Sequence, residues 1–368
     1  MNQASLGFNM ACAKGSAPAV LPHDAGAFPC GQSKSMPIAR KAVCFQHLGE
    51  ILACPCDRKE ALEISDTCYA CRGQACGRSF PVVNGVPILI NDETSIFRVE
   101  DYVKNRLTTV DVSVTKGNRF KRLGKRLVRW VPSIGANLKA GQNIPRLKQL
   151  ALQETGSPSI LIVGSGMGDE IVERELRCPE ILLVGMDVHF SPQVQMISDA
   201  HDLPFRDESL DAVICQSVLE HVADPYRCVQ EIYRVLKPRG LVYAETPFMQ
   251  PVHAKAFDFT RFTLGGHRRL FRNFEQIEAG AEGGPGMALA WSISWFFRSF
   301  SRSTINEAIH HFVVPFFTFW LLWFDRLLIK LPQASDASSE LYFLGRKSET
   351  TISDREIVML HWTRQALK

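Results

Sequence analysis

The chain has 368 residues, enough for one full α/β domain with smaller attachments. Its 42 Lys and Arg against 38 Asp and Glu leave a formal charge of +4, too mild to call for a nucleic-acid partner. The 11 cysteines are odd in number and five of them crowd between Cys54 and Cys76, which fits metal-bound thiolates in a reducing cytoplasm better than a disulfide framework.

Residues 1–40 are rich in Ala, Gly, Ser and Pro without periodicity and read as a disordered extension. They lack a basic start followed by an apolar core, so no signal peptide is expected. Residues 47–91 read as a compact cysteine module. Leu52-Ala53-Cys54-Pro55-Cys56 is followed by Cys68, Cys71 and Cys76, then by two short strands about an Asn84-Gly85 turn. Two cysteine-bearing knuckles can bring four thiolates around tetrahedral zinc. The run Phe80 to Leu89 resembles the ending of small zinc-ribbon-like proteins that activate methyltransferases, and of related modules fused to them. Those read Cys-Pro-x-Cys, Cys-x-x-Cys-Gly, then Pro-x-x-Asn/Asp-Gly-x-Pro. Here the first pair is one residue short, and Cys76 follows Cys71 by five positions, so five cysteines compete for four places. The preferred set is Cys54, Cys56, Cys71 and Cys76, with Cys68 as substitute and a structural role for the metal. A metal-free ribbon folded on Phe80, Val82, Val86, Ile88 and Leu89 is the alternative.

Residues 92–143 read as a basic helical linker. From Lys116 to Trp130, Phe120, Leu123, Leu127 and Trp130 recur at three- and four-residue steps among seven Lys and Arg, making an amphipathic helix. It suits an anionic membrane surface or RNA phosphates, and equally a domain-packing helix with a solvated charged face.

The stretch from Ser159 to Gly240 carries four elements in fixed order. An apolar strand enters a glycine turn, Ile160-Leu161-Ile162-Val163-Gly164-Ser165-Gly166-Met167-Gly168. A second strand ends on an acid, Leu182-Leu183-Val184-Gly185-Met186-Asp187. Then come Asp199-Ala200-His201-Asp202-Leu203-Pro204-Phe205 and Leu210 to His221, continuing to Gly240. The series resembles the class I S-adenosylmethionine-dependent methyltransferases, in particular the small-molecule group. A strand leading through a glycine turn into a helix points backbone N–H groups and a positive helix end at an anionic group, here the cofactor's methionine carboxylate. The spacing is Gly-x-Gly-x-Gly, not the Gly-x-Gly-x-x-Gly of dinucleotide folds. The resemblance implies cofactor contacts from Gly164, Ser165, Gly166 and Gly168. It further implies ribose contacts from Asp187, adenine contacts from Asp199 and Ala200, and an apolar wall of Leu203 and Phe205. The fold it implies, over residues 144–347, is a seven-stranded Rossmann-like α/β sheet beside the zinc-ribbon-like β module.

After the fifth strand of that fold, Thr246 to His253 and Phe257 to Phe262 are where such enzymes place acceptor contacts. His253 is the candidate general base because its ordinary pKa suits proton removal near neutrality. Asp258 would orient it and Arg261 would bind an anionic acceptor. Asp258 pairing with Arg261 at a helix start is the structural alternative. Glu220 and His221 are read as placement around the cofactor.

The last two strands are placed at about Glu275–Glu278 and Glu340–Arg346, with an apolar helical insertion at about 283–331. Its run Phe312–Phe324 is short of the roughly 20 residues of a spanning helix and is broken by Asp325-Arg326. Trp320 and Trp323 near Arg326 and Lys330 suit a membrane interface, and a buried lid or dimer contact fits as well. Residues 348–368 form a tail with one short helix. The reading is a cytoplasmic, membrane-peripheral enzyme that methylates a small molecule, such as a sugar or lipid-linked intermediate. An RNA methyltransferase with a zinc-module clamp and a non-catalytic activator protein are the alternatives.

Overall fold

The computed structural model describes residues 45–74, 76–104, 135–300 and 313–366. The expected N-terminal extension, the basic stretch Lys116–Trp130 and residues 301–312 of the insertion lie outside them. The cysteine module supplies α1 (Phe45–Ile51) and strands β1 (Leu62–Ile64), β2 (Cys68–Cys71), β3 (Ser79–Val83) and β4 (Val86–Leu89), followed by α2 (Val99–Val103). Next come α3 (Ala140–Thr155), β5 (Ser159–Val163), α4 (Glu170–Leu176), β6 (Leu182–Asp187), β7 (Met196–Ser198) and β8 (Leu210–Gln216). They are followed by α5 (Pro225–Val235), β9 (Leu236–Pro247), α6 (Leu264–Leu270) and β10 (Phe274–Gly283). The chain closes with α7 (Pro285–Arg298), α8 (Val314–Thr318), α9 (Leu321–Leu328), β11 (Glu340–Lys347) and α10 (Asp354–Ala366).

One mixed sheet runs β1-β2-β3-β4-β7-β6-β5-β8-β9-β11-β10. It has eleven strands, not the expected seven-stranded sheet beside a separate β module, because β4 pairs parallel with β7 through Ile88↔Ile197 and Leu89↔Ser198 and so extends the sheet through the module. The central strands read as continuous apolar runs because helices cover both faces. Buried Leu161, Val163, Val213 and Cys215 join one layer with α5, while Ile160, Ala212, Ile214 and Leu344 join the other with α3. β5 pairs with β6 on one side and β8 on the other, all parallel. The chain therefore winds outward in both directions from β5, and that switch point opens a crevice beyond the strands' carboxyl ends.

The apolar insertion stands between β10 and β11. Its run does not form one helix: α8 and α9 are short, and no helix among the described residues is long and apolar enough to cross a membrane. Asp325, which interrupts the run, is buried and accepts hydrogen bonds from Gly286 N and Met287 N, both at 2.7 Å. A carboxylate from α9 thus caps the start of α7.

Candidate active site

At the switch point a cavity of about 280 Å³ opens against the glycine turn. Gly164 has a φ of +79°, and a β-carbon there would run into the Val218 side chain. Gly166 donates its N–H to Asp187 Oδ2 at 2.7 Å, and a β-carbon on Gly166 would stand 2.6 Å from that oxygen. Asp187 also accepts from His189 N at 2.9 Å and stays partly exposed, so its carboxylate keeps lone pairs for further donors. Gly164, Ser165 and Gly168 line the cavity, whereas Gly166 and Asp187 flank it.

The helix after the turn differs from expectation. Asp169 accepts from Ile171 N at 2.7 Å and Val172 N at 3.2 Å, so the start of α4 is capped by the chain itself. The residues expected to meet adenine also sit differently. Asp199 is committed to Ser95 Oγ at 2.5 Å and to His201 N and Nδ1 at 3.0 and 2.6 Å. Burial alone would raise its pKa, but the bonds from His201 and Ser95 hold it below the usual carboxylate range. Leu203 and Phe205 are fully buried in the main core and Ala200 nearly so, and none of the three lines the cavity. This segment is braced from the module side: Thr94 and Arg58 both reach Asp202, which also meets Arg227 Nη2 at 2.6 Å.

The cavity wall is acidic. Glu245 ends β9, Glu282 sits near the end of β10 and Glu340 begins β11, and all three line the space together with Asp169. Glu245 accepts from the Tyr243 hydroxyl, from Asn137 Nδ2 at 3.0 and 3.1 Å and from Gln216 Nε2 at 3.0 Å. Burial raises its pKa against the pull of those bonds. Glu282 is completely buried beside Glu340, and neither of its oxygens finds a hydrogen-bond donor among the described residues. Burial pushes it well above the usual range. Ser217 holds a strained φ of +50° and donates its N–H to Glu245 O at 3.0 Å, which fixes the strand end opposite the turn.

His253, Asp258 and Arg261 come together, though outside the cavity lining. Arg261 grips Asp258, with Nη2 at 2.7 Å from Oδ2, and burial notwithstanding, those bonds hold Asp258 down to about 2. Asp258 Oδ2 accepts from His253 N at 2.9 Å and lies 3.6 Å from His253 Nδ1. Arg261 also donates to Gln250 O at 3.1 Å, and Gln250 Nε2 donates to Glu340 Oε1 at 2.9 Å, so this group abuts the cavity wall. His253 Nε2 faces His221 Nε2 at 3.1 Å, with buried Glu220 behind both rings.

In the module, the ligand-capable atoms of Cys54, Asp57, Cys71 and Cys76 lie within 4.8 Å of one another. Cys54 Sγ is 3.6 Å from Cys76 Sγ, and Cys71 Sγ is 3.6 Å from Asp57 Oδ2. Cys56 stands beside Cys54 but outside this group. The three-residue step of a knuckle from Cys54 falls on Asp57, which takes the place expected for Cys56. Cys68 and Cys71 lie on one strand at odd separation and so face opposite ways. Cys71 is buried in the group, while Cys68 Sγ receives Ser65 Oγ at 3.6 Å.

A family model described as a methyltransferase domain matches residues 167–244. The chain carries a methyltransferase domain. An uncharacterized methyltransferase from Mycobacterium sp. (strain JLS) is 33% identical over 136 residues, 34% of this chain and 54% of that protein. A demethylmenaquinone methyltransferase from Deinococcus radiodurans is 34% identical over 105 residues, 24% of this chain and 43% of that protein. Among solved structures, a phosphoethanolamine N-methyltransferase from Haemonchus contortus aligns with a TM-score of 0.34 at 16% identity, over 63% of this chain and 58% of that one. The chain spans about half the length, or less, of these curated relatives.

Proposed function

We propose that this methyltransferase domain transfers a methyl group from S-adenosylmethionine to a small-molecule acceptor at the cavity. The observation that carries the reading is the cavity itself, set between a sterically required glycine turn and three glutamates at the ends of β9, β10 and β11. The residues present fit such a cofactor: Asp187 keeps lone pairs for ribose hydroxyls, and a molecule bearing ammonium and sulfonium charges would favour ionisation of wall glutamates whose pKa burial raises. When bound, that cofactor supplies an electrophilic methyl on its sulfonium sulfur. The chain's own part is to hold an acceptor in line and keep bulk water out. His253, the candidate base, stands beside the cavity wall rather than in its lining, with Asp258 accepting from its backbone N–H at 2.9 Å; a base role there and an ion held on its Nε2 are mutually exclusive.

An acidic wall opposes a phosphodiester, which disfavours the RNA reading. The exposed apolar face of α7–α9 supports an acceptor met at a membrane surface, such as a sugar or lipid-linked intermediate. The matched relative named for demethylmenaquinone adds a quinone-type ring to the acceptors worth screening. In the module, Cys54, Asp57, Cys71 and Cys76 suit a structural zinc: thiolates bound at about 2.3 Å in a tetrahedron lie about 3.8 Å apart, close to the 3.6 Å between Cys54 and Cys76.

Calorimetric titration with S-adenosylmethionine tests the reading. Saturable binding is expected in the wild-type chain and its loss in Asp187→Ala. Absence of binding by the folded wild-type chain would overturn the enzyme reading.

A further inference from the structure

Three ligand-capable atoms, from Glu220, His221 and His253, converge beside the cavity. His221 Nδ1 lies 2.8 Å from the Phe257 carbonyl oxygen, so that nitrogen carries the proton and Nε2 is left as a lone pair. His253 Nδ1 points toward Asp258 Oδ2 and Pro251 O, which leaves its Nε2 in the same state. The two Nε2 atoms lie 3.1 Å apart, a separation that serves a hydrogen bond in one tautomer and a shared ion when both nitrogens carry lone pairs. Glu220 Oε1 completes the triangle at 3.6 Å from His221 Nε2 and 3.8 Å from His253 Nε2. Glu220 is fully buried, and neither of its oxygens has a hydrogen-bond partner among the described residues. Burial raises the Glu220 pKa, and a cation at the centre would offset that cost by drawing on the carboxylate and both imidazole nitrogens at once.

We propose that Glu220, His221 and His253 hold a divalent transition-metal ion, zinc being the best match, whose remaining position binds an oxygen donor of the acceptor. The dimensions agree. Donors at about 2.1 Å from a tetrahedral ion lie about 3.4 Å apart, and the three edges here are 3.1, 3.6 and 3.8 Å. Two imidazoles and one carboxylate with a fourth place open is the donor set of a catalytic rather than a structural zinc site. The surrounding bonds are those a metal site needs. The Phe257 carbonyl fixes the tautomer of His221, while Asp258, itself gripped by Arg261, stands behind His253. His253 lies at the surface, giving an ion a way in. The site sits three residues beyond Ser217, which lines the cavity, and Arg261 and Gln250 link it to Glu340 on the wall. The ion site stands on these side chains alone; only the role given to its open position rests on the methyl-transfer reading.

Cobalt(II) titration of the metal-stripped full-length chain reads the site without needing an acceptor. Cobalt at the cysteine group announces itself by sulfur-to-metal charge transfer together with strong d–d bands at the red end of the visible, whereas cobalt on two imidazoles and a carboxylate gives weaker d–d bands at shorter wavelength and no such charge transfer. Both signals are expected in the wild-type chain. His253→Ala and Glu220→Gln should remove the second alone, weakening that site by about 100-fold or more, and Asp258→Asn should weaken it roughly tenfold. The thiolate spectrum as the sole signal, or shorter-wavelength bands that survive both ligand substitutions, overturns the proposal. Should Glu220→Gln fail to fold, diethyl pyrocarbonate labelling of the wild-type chain decides. Zinc is expected to shield His221 and His253 from modification, and equal labelling with and without zinc refutes the site. Calorimetry with S-adenosylmethionine on the same samples separates the two readings. Cofactor binding without ion binding sinks the ion site alone, and ion binding without cofactor binding sinks the methyl-transfer reading alone.

Discussion

His267 on α6 is caged by Phe262, Phe271 and Phe343, with ring centroids 6.3, 5.2 and 6.5 Å away. Its Nε2 finds no partner among the described residues, and burial pushes the imidazole down to about 3. Because the folded value lies below the unfolded value near 6.5, protonation favours the unfolded chain. Stability present above about pH 6.5 is therefore lost as pH falls toward 3, at up to about 1.4 kcal/mol per pH unit. Urea unfolding between about pH 7 and pH 4 should show a steeper fall for the wild-type chain than for His267→Leu, and parallel curves would refute this. At this scale some of the site is legible in sequence. Asp187 declares itself because an acid ending an apolar strand has no use in a core. Glu245 carries the same signal after Val242-Tyr243-Ala244. Glu282 and Glu340 do not, since only the order of β10 and β11 beside β9 brings them to the turn. Asp57 is hidden by chemistry: cysteines draw the eye to Cys56, while the knuckle's step selects the carboxylate.

Among the elements, α7, α8 and α9 turn an apolar side outward. Phe296, Phe316, Phe317, Trp323 and Leu327 are each about two-thirds exposed. A contiguous patch of that kind marks a place where something other than water belongs. Co-sedimentation with phosphatidylglycerol-containing vesicles is expected for the wild-type chain, with the bound fraction falling severalfold in Phe316→Ser/Trp323→Ser. Equal binding by both proteins, or none by either, would remove the membrane from the account. The sequence shows that these residues are apolar and that charges break the run. It does not show why, because the reason is tertiary: buried Asp325 is the cap of α7, thirty-eight residues upstream of it at Met287. Such a cap joins two short helices that neither propensity nor length would hold alone.

Across the whole molecule, module and domain share one sheet, and their contacts reach Asp199 and Asp202 through Arg58, Thr94 and Ser95. Removing the metal proposed for Cys54, Asp57, Cys71 and Cys76 should thus lower the melting temperature of the whole chain by roughly 5 °C or more. Calorimetric scans with and without a chelator, beside Cys71→Ser, check this; superimposable scans from protein that contains zinc would refute it. From sequence a cysteine module reads as set apart from the domain of residues 144–347; the sheet that joins them is not legible there, because β4 and β7 are each too short to advertise a partner. That seam has a further consequence. It closes between Ile88 and Ile197 of one chain, yet its chemistry is indifferent to which copy supplies each half. At low concentration a chain meets its own module far more often than a neighbour's. In concentrated solution two copies can trade modules, each completing the other's sheet with unchanged bonds, and the resulting exchanged pair would come apart only as fast as the seam opens.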